Sequence, residues 1–137
     1  MRFPGRLTRG RKYWLVEIPA FDAMTQGRSR RDALAMAEDL IESLANSKGF
    51  KATAVATGPD TFEIEGNKIN VLLALLLRRQ REGHGLTLAE AARRLGQSSK
   101  NAYARYEQGK ARPTVEKLVQ LLAAIAPDQK IVWHIAA

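Results

Sequence analysis

Two rhythms of apolar and polar positions divide the chain. In residues 1–66 short runs alternate: Trp14, Val16 and Ile18 share one face at period two, the spacing of a half-buried strand. Residues 13–18 are therefore predicted as a strand paired with residues 2–7 through a turn at Gly10, and Pro19 ends it. The stretch FDAMTQG, residues 21–27, has no alternation and reads as a loop. At Ser29, with Asp32 three residues on as in a capping box, the spacing changes. Ala33, Leu34, Ala37, Leu40, Ile41 and Leu44 then recur at three and four, one stripe of a helix over residues 30–47 that Asn46 to Gly49 closes. Residues 51–57 and 61–65 form a second hairpin turned at Gly58-Pro59-Asp60. The predicted order is ββαββ.

After Gly66-Asn67-Lys68 the rhythm is helical. Asn70 caps a helix through Glu82, which Gly83 and Gly85 end. Its VLLALLL run, residues 71–77, falls far short of the roughly 20 apolar residues of a spanning helix, and Arg78, Arg79 and Arg81 follow it; it reads as a buried helix. A helix over Thr87–Leu95 buries Leu88, Ala91, Ala92 and Leu95, and Gly96 supplies the sharp exit that positive φ allows. A second helix over Ser98–Gln108, capped by Ser98 or Ser99, turns Ala102, Tyr103 and Tyr106 inward. Pro113 precedes a further helix, started by Thr114, with Val115, Leu118, Leu121, Leu122 and Ile125 at helical spacing, and Pro127-Asp128 stops it. In residues 130–135, Ile131, Trp133 and Ile135 alternate with Val132 and His134, the pattern of a short C-terminal strand. Such a strand needs an edge, from a second copy of the chain or from its own domain. The expected fold class is α+β, with domains at 1–66 and 67–137.

Charge separates the same halves. Residues 1–66 carry 10 Lys and Arg against 9 Asp and Glu, whereas residues 67–137 carry 12 against 5, so nearly all of the net charge of +8 lies in the second half. A compact basic domain attracts a polyanion by counterion release, which puts nucleic acid first among partners and acidic membrane surface second. The chain of 137 residues has no cysteine, which excludes disulfides, thiolate zinc sites and a cysteine nucleophile. No signal peptide is read at the N-terminus, where Pro4 and Gly5 break the first apolar stretch, so a cytoplasmic location is expected.

The run from Gly85 to Pro113 carries the sharpest signal. Thr87-Leu88, Ala92 and Gly96 have the Thr-Leu-x-x-x-Ala-x-x-x-Gly spacing of a helix-turn-helix, followed by Glu107-x-Gly109 and the Pro113 helix start. The second helix projects Ser99, Lys100, Asn101 and Arg105 outward, side chains of the types that read base edges and grip phosphates. The segment resembles the Cro/repressor type of helix-turn-helix, with one residue more between Gly96 and Glu107 than the commonest spacing. The resemblance implies binding of double-stranded operator DNA through Ser98, Ser99, Lys100, Asn101, Arg105, Lys110 and Arg112. It also implies a structural ion pair between Arg81 and Glu107.

A second resemblance covers the first half. Residues 13–19, YWLVEIP, then Thr25-Gln26-Gly27, then Ser29 to Leu44 with Ala33, Ala37 and Glu38, are similar to the HicB antitoxin family. Its pattern is a strand ending in Phe-Pro, a loop closing in Thr-x-Gly and a Glu-Ala-type helix; Ile18 stands here for the Phe. The family implies a partial ribonuclease-H-like N-terminal domain joined to a DNA-binding C-terminal one, the first neutralising a small HicA-type mRNA-cleaving toxin. The second represses the operon as a homodimer or higher homo-oligomer.

Catalysis is not expected. Ribonuclease-H chemistry needs several carboxylates placed to hold two metal ions, and residues 2–7 contain no acid, while Glu17, Asp22, Asp60, Glu63 and Glu65 are scattered over strand ends and turns. His84 and His134 are isolated, so neither a metal site nor any cofactor is expected. Two other readings stay open: a stand-alone regulator with a dimerising or ligand-sensing N-terminal domain, and an RNA-binding protein or degenerate nuclease. Arg6, Arg9, Arg11 and Lys12 around the first hairpin are either a solvated turn or an electropositive surface toward nucleic acid.

Overall fold

The computed structural model describes residues 1–135, and the chain divides into two units, Met1–Leu76 and Leu77–Ala137. The first unit is a five-stranded antiparallel sheet of order β3-β2-β1-β5-β4 with one helix across it. The strands are β1 (Phe3–Arg9), β2 (Trp14–Ile18), β3 (Ala23–Gly27), β4 (Ala52–Ala56) and β5 (Thr61–Gly66), and α1 (Arg30–Ala45) follows β3. The chain is α+β, as its patterning predicts.

The segment expected to be a loop is partly a strand. After a single 3-10 turn over Pro19–Phe21 and a left-handed Asp22 at φ 47°, residues 23–27 pair with β2 in unbroken register, Ile18 with Ala23 through Trp14 with Gly27. An edge strand draws hydrogen bonds from its neighbour and needs no alternation of its own; Met24 and Gln26 are exposed while Ala23 and Gly27 are buried. At the other edge, the N–H groups of Ala54 and Ala52 donate to the Glu38 and Glu42 carboxylates of α1 at 2.8 and 3.1 Å. That occupies donors which an edge strand otherwise offers to another chain.

Helix α1 begins where Ser29 Oγ accepts from the Asp32 N–H at 3.0 Å, and Asp32 in turn accepts from the Arg28 N–H at 2.8 Å. It ends at Asn46 in the left-handed conformation, φ 45°. Ala33, Ala37 and Ile41 are buried with the sheet residues Leu7, Val16, Ile18, Phe62 and Ile64. The small side chains at 33 and 37 permit a close approach. A Cβ on Gly27 would stand 2.4 Å from the Ala33 backbone nitrogen, so this position admits no side chain.

Helix α2 (Ile69–Gly83) runs across the division between the units, and Leu72 to Leu77 are all buried. No helix among the described residues is long and apolar enough to cross a membrane. The second unit continues with α3 (Leu88–Arg94), α4 (Lys100–Glu107) and α5 (Val115–Ile125). Thr87 and Thr114 cap α3 and α5, their hydroxyls accepting from the Glu90 and Lys117 N–H groups, both at 3.1 Å. The core holds Ala91, Ala92, Tyr103, Ala104, Leu118, Leu121 and Ile125.

Residues 131–135 form no strand within the single chain, contrary to the expectation from their alternation. Val132, Trp133 and Ile135 are exposed. The pattern has the right side chains but no hydrogen-bonding edge beside it, and a lone strand cannot satisfy its own backbone.

Candidate nucleic-acid interface

The turn between α3 and α4 is built by backbone geometry. Leu95 N–H donates to Ala91 O at 3.2 Å, Gly96 adopts φ +72°, and the Gln97 N–H returns to Ala92 O at 2.9 Å. This closes α3 with a left-handed residue at the position where glycine avoids the Cβ penalty. Ser99 then caps α4, its Oγ accepting from the Asn101 N–H at 3.2 Å. Ala91 and Ala92 on α3 and Tyr103 and Ala104 on α4 are buried, and the three alanines suit the close crossing of two short helices. The inward face of α4 is thus Tyr103 and Ala104 with half-buried Tyr106. Ala102, expected inside, is exposed, because the helical period that buries 103 and 104 turns 102 outward.

Beneath α4 lies a bidentate ion pair. Arg81 at the end of α2 donates from Nε to Glu107 Oε2 at 2.7 Å and from Nη2 to Oε1 at 3.0 Å, while its Nη1 donates to Leu86 O at 2.7 Å. Side-chain exposure is 12% for Arg81 and 6% for Glu107, so the pair is shielded and its breakage leaves a buried charge. The Glu107 carboxylate holds the guanidinium proton more tightly than usual, mainly through that hydrogen bond. Tyr103 is fully buried, and its phenol stays protonated far above the ordinary range, from burial first and the nearby Glu107 carboxylate second. Its hydroxyl has no partner in strict hydrogen-bonding geometry among the described residues.

A second clamp joins the ends of α2 and α5. His84 places Nδ1 2.7 Å from Gln80 O and Nε2 2.5 Å from Asp128 Oδ1. A carbonyl and a carboxylate are both acceptors, so the ring fits best with a proton on each nitrogen. Its pKa is raised by the Gln80 carbonyl first and Asp128 second, against burial and, more weakly, Arg94. Arg94 Nη1 itself donates to Ala124 O at 3.1 Å, a cation at a helix C-terminus.

With Glu107 occupied inside, the stretch from the end of α3 to the loop after α4 presents one sign. Residues 93–112 contain six Lys and Arg and the single acid Glu107. Ser98, Ser99, Lys100, Asn101 and Arg105 are all exposed at the start and along one side of α4. Lys110 and Arg112 are exposed in the loop that follows, where the Lys110 and Ala111 N–H groups fold back onto Arg105 O at 3.0 and 3.2 Å. Arg93, exposed one residue before α3 ends, is a further cation beside the turn, outside the set expected from the sequence. Its signal is its place on the polar side of α3, opposite Ala91 and Ala92. The arrangement presents a rigid helix with amide, hydroxyl and guanidinium groups, flanked by cations. A duplex accepts such a set through base edges and phosphates.

The helix-turn-helix family model matches residues 77–126, spanning the end of α2 through α5. No curated protein matches the chain. The match supports a DNA-binding helix-turn-helix domain over these residues of the second unit.

Proposed function

We propose that the chain is an antitoxin that represses its own operon through α4 and neutralises a HicA-type toxin through the sheet unit. The transcription-regulator half is supported by the helix-turn-helix match. The observation that carries the assignment of contacts is the exposure of Ser99, Lys100, Asn101 and Arg105 on a helix whose only acid is engaged by Arg81. Asn101 and Arg105 read bases, while Lys100, Lys110 and Arg112 hold phosphates. Operators with two half-sites call for a dimer, and residues 131–135, alternating and with Val132, Trp133 and Ile135 exposed, are the segment that pairs with a second copy.

The toxin-binding half rests on the resemblance of residues 13–44 to HicB, now seen as β2, β3 and α1 packed on one another. Catalysis has no part in this reading; Glu65 and Glu63 pair with Arg2 at 2.7 and 3.6 Å. The test is co-expression with the neighbouring open reading frame. Rescue of growth, a complex that co-purifies and binding to the upstream DNA support the proposal. A gene without a toxic neighbour, whose product still binds upstream DNA, favours a stand-alone regulator.

A further inference from the structure

The near-neutral total of the sheet unit hides a segregation. Residues 1–31 carry eight Lys and Arg against two acids, and residues 32–66 carry two against seven. Strand register gathers six of these eight cations at one end. Arg9 pairs with Trp14 and Trp14 with Gly27, so these residues stand abreast on β1, β2 and β3. Beyond that rung lie the β1–β2 turn with Arg11 and Lys12, closed by the Gly10 N–H on Tyr13 O at 2.9 Å, and the entry to α1 with Arg28, Arg30 and Arg31.

Not every charge there is available. Arg30 holds the β4–β5 turn, donating to Gly58 O at 2.6 Å and Pro59 O at 3.0 Å. Asp32 is engaged at the start of α1, and Asp60 is exposed on the adjoining turn. The ion pairs seen between residues of this unit take Arg2, Arg6 and Lys51. Arg9, Arg11, Lys12, Arg28 and Arg31 are exposed and belong to none of them, and Tyr13, 44% exposed, sits in the same turn. Four of these five cations are arginines, whose planar fork matches phosphate oxygens. A small basic toxin would be repelled by this surface, whereas a polyanion is drawn to it.

We propose that this basic end of the sheet is a second, sequence-independent contact surface for the sugar-phosphate backbone of DNA. The inference rests on DNA binding by the second unit: once α4 holds a duplex, the tether through α2 raises the local concentration of phosphate around the first unit. The surface adds affinity and leaves operator choice to α4.

The experiment uses the full chain with Arg9→Ala, Arg11→Ala and Lys12→Ala combined, titrated by fluorescence anisotropy against a random-sequence duplex of about 40 base pairs over a range of salt. Every phosphate that the variant leaves unneutralised lowers the magnitude of the slope of log K against log salt by about 0.9, so two or three such phosphates lower it by about 2 to 3. Affinity for upstream and random DNA is expected to fall by the same factor. The charge-preserving set Arg9→Lys with Arg11→Lys is expected to keep the slope, and Arg105→Ala to lose discrimination while keeping the contribution of this end. An unchanged slope in the triple variant overturns the proposal, as does an equal loss in the lysine set. A structured RNA hairpin losing more affinity than the duplex overturns the choice of DNA. Wild-type chain that binds no duplex at all removes the DNA reading itself, a result distinct from the others.

Discussion

The two units hold themselves together by different means. The sheet unit buries a wide apolar layer, Leu7, Val16, Ile18, Phe21, Phe62 and Ile64 under α1, and leaves its ion pairs outside; Arg6 and Glu17 meet at 2.7 Å with the arginine 65% exposed. The helix-turn-helix unit has helices of 7, 8 and 11 residues, too short to be stable alone. It puts a shielded bidentate pair at its centre. A layered sheet has area enough to specify one arrangement by packing. A small bundle that must keep a polar face toward DNA has less, and a pair with fixed geometry selects the angle between α2 and α4 in its place.

That contrast is open to direct attack. Glu107→Ala strands the Arg81 guanidinium and is expected to cost about 3–5 kcal/mol in urea unfolding, with Arg81→Met plus Glu107→Leu recovering most of it. A single-variant loss below about 1 kcal/mol would mean that apolar packing holds both units alike. Gly27→Ala attacks the sheet unit through packing, driving a methyl into the Ala33 backbone. About 1–3 kcal/mol should be lost, visible as a lower melting temperature. On the DNA face, Asn101→Ala or Arg105→Ala should lower discrimination between operator and random duplex by roughly 1–3 kcal/mol, while Lys100→Ala weakens both equally. Equal losses on both sequences from Asn101→Ala would remove it from base reading. Arg6→Ala should cost less than about 1 kcal/mol, because exposed pairs are screened.

The smallest effect concerns pH. His84 has its pKa raised above 6.5, so its contribution is complete below that value and lost as pH rises through the raised one. Asp128 is lowered below 3.8, chiefly by its bond to His84, so its contribution holds above 3.8 and is lost as pH falls through the lowered value. The clamp is therefore strongest between these limits. The melting-temperature difference between wild type and His84→Ala should shrink above neutrality; a difference unchanged from about pH 5.5 to 9 would show that only ring packing matters.

Local signals are the legible ones. Ser29 and Thr114 start their helices at the expected places, Thr87 caps α3 where the pattern predicts the first helical residue, and Gly96 takes the left-handed turn its position demands. Strand β3 is hidden in the sequence because its order is borrowed from β2, and Met24-Thr25-Gln26 shows no alternation to reveal it. Ala102 and Ala104 are chemically alike, so composition cannot tell which faces in. The Arg81–Glu107 pair spans 26 positions and no periodicity connects them; only the resemblance joins them. The basic end of the sheet is visible as the residues of one hairpin, but Arg28 and Arg31 join it only through the β2–β3 register.

The position of β1 has a consequence for synthesis. The earliest of these five strands lies in the middle of the sheet, and its second edge pairs Phe3 with Ile64. That edge therefore waits, with Leu7 still uncovered by its β5-side neighbours, until nearly the whole unit has left the ribosome. Long-range pairing of this kind folds slowly and exposes strand edges meanwhile. The helix-turn-helix, emerging later and closing through nearby residues, has a much shorter wait. A growing chain should be most vulnerable to aggregation just before β5 appears, and a partner already docked on β1 and β2 would shorten that interval.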